Sequence, residues 1–251
     1  FKQKTAYEIY QCDWSSDVCS SDLQREEKPS IGLRYATGGL RKSKEPSLDD
    51  YPTPPWATRA LLEKVLLFRP GMDTYTCWEP ACNRGAMSRV LKEYFRDVWS
   101  SDIEDYGYGT THDFLNRNGI GGSHKPDWII TNPPFQLAEN FISEANIWAR
   151  KGVAMLVRTQ FLEGKGRYER LFAVNPPSAI AQFAERVPMF QGRLDEKGST
   201  ATAYCWLVWD KRMIDSPYSF NMRTSVMAWI PPCRKELERP GDYEFLDALP
   251  L

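Results

Sequence analysis

Two consecutive prolines stop the apolar run Trp128-Ile129-Ile130-Thr131, in the order Asn132-Pro133-Pro134-Phe135. The run is opened by Lys125-Pro126-Asp127, so it reads as a short, fully buried strand of a parallel sheet that ends abruptly. Proline has no N–H for the sheet ladder, and the chain must turn out at the carboxyl end of this strand. In open α/β sheets that edge is where ligands bind. The turn brings an amide side chain, stiffly held carbonyls and an aromatic ring to one place. The Asn132 oxygen and the Pro133 carbonyl suit the two hydrogens of an exocyclic amine, and Phe135 suits the face of a base. The alternative is an ordinary strand-ending turn with Phe135 in the core.

The rest of the chain supplies the sheet. Residues 74–79 read as a first strand, the turn Pro80-Ala-Cys-Asn-Arg-Gly85 follows, and residues 86–95 read as a helix. Strand, small-residue turn and helix form the first unit of a nucleotide-binding α/β sheet, whose turn brings backbone close to a ligand. Only Gly85 is glycine there, so a G-x-G-x-x-G dinucleotide fingerprint is absent. Glu79 ends this strand, placed for a cationic group or a ribose, or simply as a solvated turn acid. Residues 97–101 read as strand two, ending in Asp102, at the spacing expected of a carboxylate that accepts ribose hydroxyls. Residues 111–115 read as a short strand or turn with Asp113 exposed, and 116–125 as a Gly-rich loop.

Beyond Phe135, residues 138–150 have a helical period, 152–157 a buried-strand pattern, and 167–172 a short helix. Residues 179–183 and 201–209 read as two late strands around a polar excursion, 185–199, which suggests an antiparallel hairpin at one side of the sheet. Upstream, Tyr51-Pro-Thr-Pro-Pro55-Trp56 introduces a helix over 57–67 with a rigid first turn. Residues 24–50 are polar, an expected mobile lead-in. Residues 13–23, Asp-Trp-Ser-Ser-Asp-Val-Cys-Ser-Ser-Asp-Leu, resemble translated sequencing-adapter read-through, or else a Ser/Asp-rich tail. Residues 1–23 are therefore set apart from fold reasoning, with the true N-terminus missing or further upstream.

Composition narrows the class. The 251 residues, 42% hydrophobic, suffice for one sizeable α/β domain. A net charge of −1 argues against a protein that coats nucleic acid broadly, while leaving room for a local basic rim. Six cysteines without a C-x-x-C pair and two histidines make a zinc cluster unexpected. No apolar run approaches a membrane span and no secretory signal is visible, so no metal, no membrane and a cytoplasmic setting are expected.

Taken in order, Glu79-Pro-Ala-Cys-Asn-Arg-Gly85 and Asn132-Pro-Pro-Phe135 resemble the S-adenosylmethionine-dependent N6-adenine DNA methyltransferases. The resemblance is closer to the small phage and prophage adenine methylases that lack a large target-recognition domain. The Tyr-Pro-Thr-Pro-Pro start, Arg186-Val-Pro-Met189 and Tyr204-Cys-Trp-Leu-Val-Trp209 are typical of that group. The resemblance spans roughly residues 48–235 and implies a methyltransferase domain over 51–235 with a tail over 236–251. It implies a Rossmann-like class I fold, with a seven-stranded, mostly parallel sheet, an antiparallel last strand and helices on both faces. S-adenosylmethionine is the implied cofactor and DNA the implied partner.

Roles carry over residue by residue. Thr53 and Pro54 would lie against the cofactor's methionine end, with Glu79, Ala81 and Gly85 around the same end. Asp102 would accept its ribose hydroxyls, and Asp113 with Phe114 would contact its adenine. Asn132, Pro133, Pro134 and Phe135 would be the catalytic turn, holding and stacking a flipped adenine. Asn83 stands where the family more often has glycine, and Asn is among the residues that best tolerate left-handed backbone. With no recognition domain in view, the loop 116–124 and the excursion 185–199, with Arg186, Arg193 and Lys197, are the candidate DNA contacts, or else solvated loops. The competing readings are a methyltransferase acting on an rRNA base or protein glutamine, and a non-catalytic DNA- or cofactor-binding relic. A cytosine-C5 enzyme is disfavoured, because Pro232-Cys233 lies in the tail rather than at a strand end.

Overall fold

The computed structural model describes residues 49–68, 74–116, 125–214 and 225–244, all within one compact unit, 45–251. Expectations for residues 1–48, for 117–124 of the Gly-rich loop and for 245–251 fall outside the described residues.

Eight strands make one sheet: β1 (Thr76–Glu79), β2 (Asp97–Asp102), β3 (Thr110–Thr111), β4 (Trp128–Thr131), β5 (Gly152–Arg158), β6 (Ala179–Phe183), β7 (Tyr204–Asp210) and β8 (Val226–Ile230). Their order is β3-β2-β1-β4-β5-β7-β6-β8. Strands β1 to β5 pair in parallel, β7 runs antiparallel to both β5 and β6, and β8 pairs in parallel with β6. The β6–β7 hairpin is thus present, and β7 is the antiparallel strand. The expected seven strands are joined by an eighth, β8, in a stretch to which the sequence pattern assigns no element. As an edge strand it is exposed along most of its length, and its Val-Met-Ala-Trp-Ile run lacks the polar alternation that marks a half-buried strand.

The continuous apolar runs are explained by burial on both faces. Trp128, Ile130, Ala154, Leu156, Trp206 and Val208 point to one core cluster; Ile129, Val153, Met155, Leu207 and Trp209 point to the other. Successive strand residues face opposite sides, so a strand covered on both must be apolar at every position. The first face is covered by α1 (Pro55–Ala60), its continuation as a π-helical turn over Leu61–Val65, and α2 (Ala86–Leu91). The second is covered by α3 (Ala138–Trp148), through Phe141, Ile142 and Ala145. Helix α1 begins at Pro55, two residues before the expected start, because proline's fixed φ suits a first helical position. Gly152 opens β5 opposite Trp128, and a Cβ there would stand 2.3 Å from the indole ring, so that tryptophan occupies the place of a side chain. A 3-10 turn over Thr159–Leu162, short helix α4 (Lys165–Arg167) with its π-helical continuation over Tyr168–Phe172, and short helices α5 (Lys211–Ile214) and α6 (Arg234–Leu237) complete the described elements.

The segment beyond 235 is tied to this body. Arg59, buried on α1, donates from Nη1 to the Leu237 carbonyl at 2.8 Å and pairs with the Asp242 carboxylate at 2.7 Å, while Glu93 accepts from the same guanidinium. Among the described residues no helix is long and apolar enough to cross a membrane.

Candidate active site

Strand order reverses at β1: β2 and β3 lie on one side, β4 and β5 on the other. A crevice opens at such a switch point, above the carboxyl ends of the strands. Here it is lined by Glu79, Asp102, Asn132 and Pro134 from the strand ends, Ala81 and Asn83 from the first turn, and Tyr51 and Thr53 from the segment before α1. The sequence-predicted Thr53, Glu79, Ala81, Asp102, Asn132 and Pro134 are therefore brought together. Pro54 is buried beside them at the start of α1.

The first turn is held open by two left-handed residues, Asn83 at φ 48° and Gly85 at φ 85°. A Cβ at Gly85 would meet the Tyr108 ring at 2.5 Å, so glycine is required there on two counts. Asn83 accommodates the conformation that glycine more often supplies, and its side chain is used as well. Its Nδ2 donates to Asp50 at 2.7 Å, and its Oδ1 accepts from the Arg84 N–H at 2.6 Å. Its backbone N–H donates to Asp102 Oδ2 at 2.8 Å, which fixes that carboxylate at the rim of the cleft.

Glu79 is the electrostatic centre. It is 2% exposed, and burial pushes its carboxyl up to about 8, helped by the Asp102 charge and opposed by a hydrogen bond from Ser88 Oγ. Ser88 Oγ in turn lies 2.6 Å from Ser100 Oγ. Burial also raises Asp102, against backbone N–H groups of Asn83 and Glu104 that favour its charged form. Two carboxyls with no Lys or Arg among the described residues that line this cleft form a site predisposed to a positively charged or hydroxyl-rich ligand.

At the turn Asn132–Phe135, Asn132 Nδ2 donates to the Tyr51 carbonyl at 2.9 Å. That bond sets the orientation of the amide, because a carbonyl accepts only from the nitrogen end. The other end, Oδ1, is buried with no hydrogen-bond partner among the described residues. A buried acceptor without a protein partner is costly, and a donor on a water or a ligand would satisfy it. The Phe135 N–H donates to Asp49 Oδ2 at 2.8 Å, and its ring lies 5.3 Å from that of Tyr51, tilted by 45°. A second, open depression is lined by Pro133, Phe135, Leu156, Arg158 and Phe161.

Two predicted residues lie elsewhere. Asp113 is exposed and accepts from the Leu115 N–H at 3.0 Å, while Phe114 is packed between Trp78 and Phe141, with ring centroids at 5.0 and 4.9 Å. Neither lines the cleft. Arg186, Arg193 and Lys197 are exposed on the excursion that leaves the carboxyl end of β6, the same edge as the cleft. Arg186 bonds the Ala201 carbonyl, and Arg193 pairs loosely with Asp195 at 3.7 Å. Sequence reasoning missed Asp49 and Asp50, placed at the end of the lead-in. Asp50 holds Asn83, Arg84 and, through its carbonyl, the Gly192 N–H; Asp49 holds Phe135. Asp50 lies 33 and 34 residues from Asn83 and Arg84, and Asp49 lies 86 residues from Phe135, so no local pattern marks these contacts.

No protein-family model and no curated protein matches the sequence. Solved structures do. The methyltransferase subunit of a type I restriction-modification system from Streptococcus thermophilus superposes with a TM-score of 0.51 at 9% identity, over 79% of this chain and 52% of that one. A putative RNA methyltransferase from Pyrococcus horikoshii aligns at 0.47 and 15% identity, over 68% and 93% of the two chains. A modification subunit of a putative type I restriction enzyme from Vibrio vulnificus aligns at 0.44 and 13%, over 70% and 45%. The chain spans about half the length of the Streptococcus subunit. At this identity the likeness concerns the fold: the protein has the Rossmann-like class I methyltransferase fold.

Proposed function

We propose that this protein is an S-adenosylmethionine-dependent methyltransferase that methylates N6 of adenine in DNA, of the small phage or prophage type. The observation that carries the reading is the buried, unpartnered Oδ1 of Asn132 beside a cleft whose carboxyls are Glu79 and Asp102. The cleft fits the cofactor chemically. Asp102 at its rim suits ribose hydroxyls, and Glu79 suits an ammonium or sulfonium. The Streptococcus neighbour is a restriction-modification methyltransferase subunit, which agrees with DNA as the substrate.

When bound, S-adenosylmethionine supplies an electrophilic methyl group on a sulfonium. The chain's own residues prepare the acceptor. Adenine N6 is a poor nucleophile because its lone pair is delocalised into the ring. Hydrogen bonds from its two hydrogens to Asn132 Oδ1 and the Pro133 carbonyl draw the nitrogen toward tetrahedral geometry and free that lone pair. Phe135 supplies the face on which the flipped base stacks. Catalysis of this kind rests on orientation and fixed dipoles rather than on a covalent enzyme intermediate. Glu79 and Asp102 orient the cofactor, while Arg186, Arg193 and Lys197 provide phosphate contacts on the same edge.

The test is transfer of tritium from labelled S-adenosylmethionine to unmethylated DNA, with RNA and protein as parallel acceptors, using the wild type and Asn132→Ala. Label recovered as N6-methyladenine, lowered about 100- to 1000-fold by the substitution, is expected. Label in RNA or protein alone would replace the DNA assignment, and no transfer to any acceptor would remove the enzymatic one.

A further inference from the structure

Arg158 closes β5, and its guanidinium carbon stands 3.8 Å from the centroid of the Phe135 ring. That is the separation of two stacked planar groups. The guanidinium also lies beside the hydroxyl of Tyr204, a buried residue whose own pKa is raised by burial and lowered by this arginine. Arg158 Nε is buried without a hydrogen-bond partner among the described residues. The group is held by the Phe135 ring together with its hydrogen-bonding contact to the Tyr204 hydroxyl, and the stacked ring contact is one that another planar group can replace. A nucleobase and a guanidinium are both flat, and each is attracted to an aromatic face with comparable strength. At 3.8 Å nothing fits between the two, and the Tyr51 ring lies 5.3 Å from the same Phe135 ring, tilted by 45°.

We infer that Arg158 is the gate of the acceptor pocket: its guanidinium occupies the face of Phe135 on which the target base stacks, and a base enters by displacing it. This rests on the reading of Phe135 as the stacking residue. The gate keeps the aromatic face covered while the pocket is empty, so loosely held planar molecules gain little there. A base that is already positioned by the rest of a DNA substrate replaces one stacking partner with another at small net cost. Once displaced, the cation is free to turn toward the polyanion that brought the base. Arg158 is a positioning and selectivity residue in this scheme and touches no reacting atom.

The test uses free deoxynucleosides, which are neutral, so that attraction between Arg158 and phosphate cannot mask the competition. The full chain is saturated with S-adenosylhomocysteine to fill the cofactor cleft, and deoxyadenosine, deoxyguanosine, deoxycytidine and thymidine are titrated in turn, followed by ligand-observed NMR. Wild type is compared with Arg158→Ala, Arg158→Gln and the double variant Arg158→Ala/Phe135→Leu. Retained S-adenosylhomocysteine binding shows that a variant is folded. The expected result is deoxyadenosine binding about 3- to 30-fold tighter in both single variants than in the wild type, with the gain lost in the double variant. A gain for another nucleoside but not for deoxyadenosine supports the gate and overturns adenine as the target. No gain for any nucleoside, or a gain that survives Phe135→Leu, overturns the gate. Failure of the wild type itself to bind S-adenosylhomocysteine tells against the proposed function instead, and the nucleosides are then titrated without it, with thermal unfolding as the folding check.

Discussion

Replacing Glu79 by Gln should change how stability depends on pH. The native carboxyl titrates at about 8, whereas an unfolded glutamate titrates at 4.5. Between those values the native state holds a proton that the unfolded state has lost, so stability is greatest below pH 4.5 and falls as pH rises toward 8. Integrating from pH 5 to pH 7 gives a loss of about 2.5 kcal/mol from this one group. Glutamine is nearly isosteric, carries no titrating proton and still offers an oxygen to Ser88 Oγ, the donor that Glu79 uses. Asp102 and the other acids remain in both proteins, so the difference between the two curves isolates Glu79. Thermal unfolding at pH 5, 6 and 7 should show the variant gaining on the wild type by roughly 5–10 °C across that range. A difference that does not vary with pH, or that shrinks as pH rises, would refute the assignment of a neutral buried carboxyl.

The same proton should appear in ligand binding. If ionised Glu79 receives the cofactor's cationic end, affinity for S-adenosylmethionine rises about fivefold between pH 7 and pH 8, with calorimetry in two buffers reporting proton release; Glu79→Gln should flatten both. Gly85→Ala should destabilise the fold by about 1–3 kcal/mol, read from the denaturant midpoint, because it forces a left-handed residue into the Tyr108 ring; an unchanged midpoint would show that the turn relaxes. Asp50→Ala should lower the thermal midpoint and weaken cofactor binding together, since the carboxylate joins Asn83 to Arg84; a drop in one without the other would uncouple the turn from the cleft.

Much of the architecture was readable from local pattern. The residues Trp128, Ile129 and Ile130 are all apolar, as a strand covered on both faces requires, and α1 and α3 do cover the two faces. Strand β8 was not readable, because an exposed edge strand needs neither alternation nor full burial. Phe114 shows the converse limit. Placed by resemblance against a cofactor, it sits between Trp78 and Phe141, since an aromatic next to a sheet edge is equally fit to fill a core.

What the sequence determined by itself is whatever backbone stereochemistry dictates within a few residues: where β4 must stop, where α1 begins, and that residues 83 and 85 are an asparagine and a glycine because the turn is left-handed. The tertiary structure alone decided the states of the groups. Glu79 is neutral because it is buried next to Asp102; Asn132 presents its oxygen because Tyr51, 81 residues earlier, takes its nitrogen; and Arg158 covers Phe135 because β4 and β5 end side by side. Protonation, amide orientation and stacking are set by desolvation and by partners distant in the chain, and neither is a property of the residue or of its neighbours in sequence.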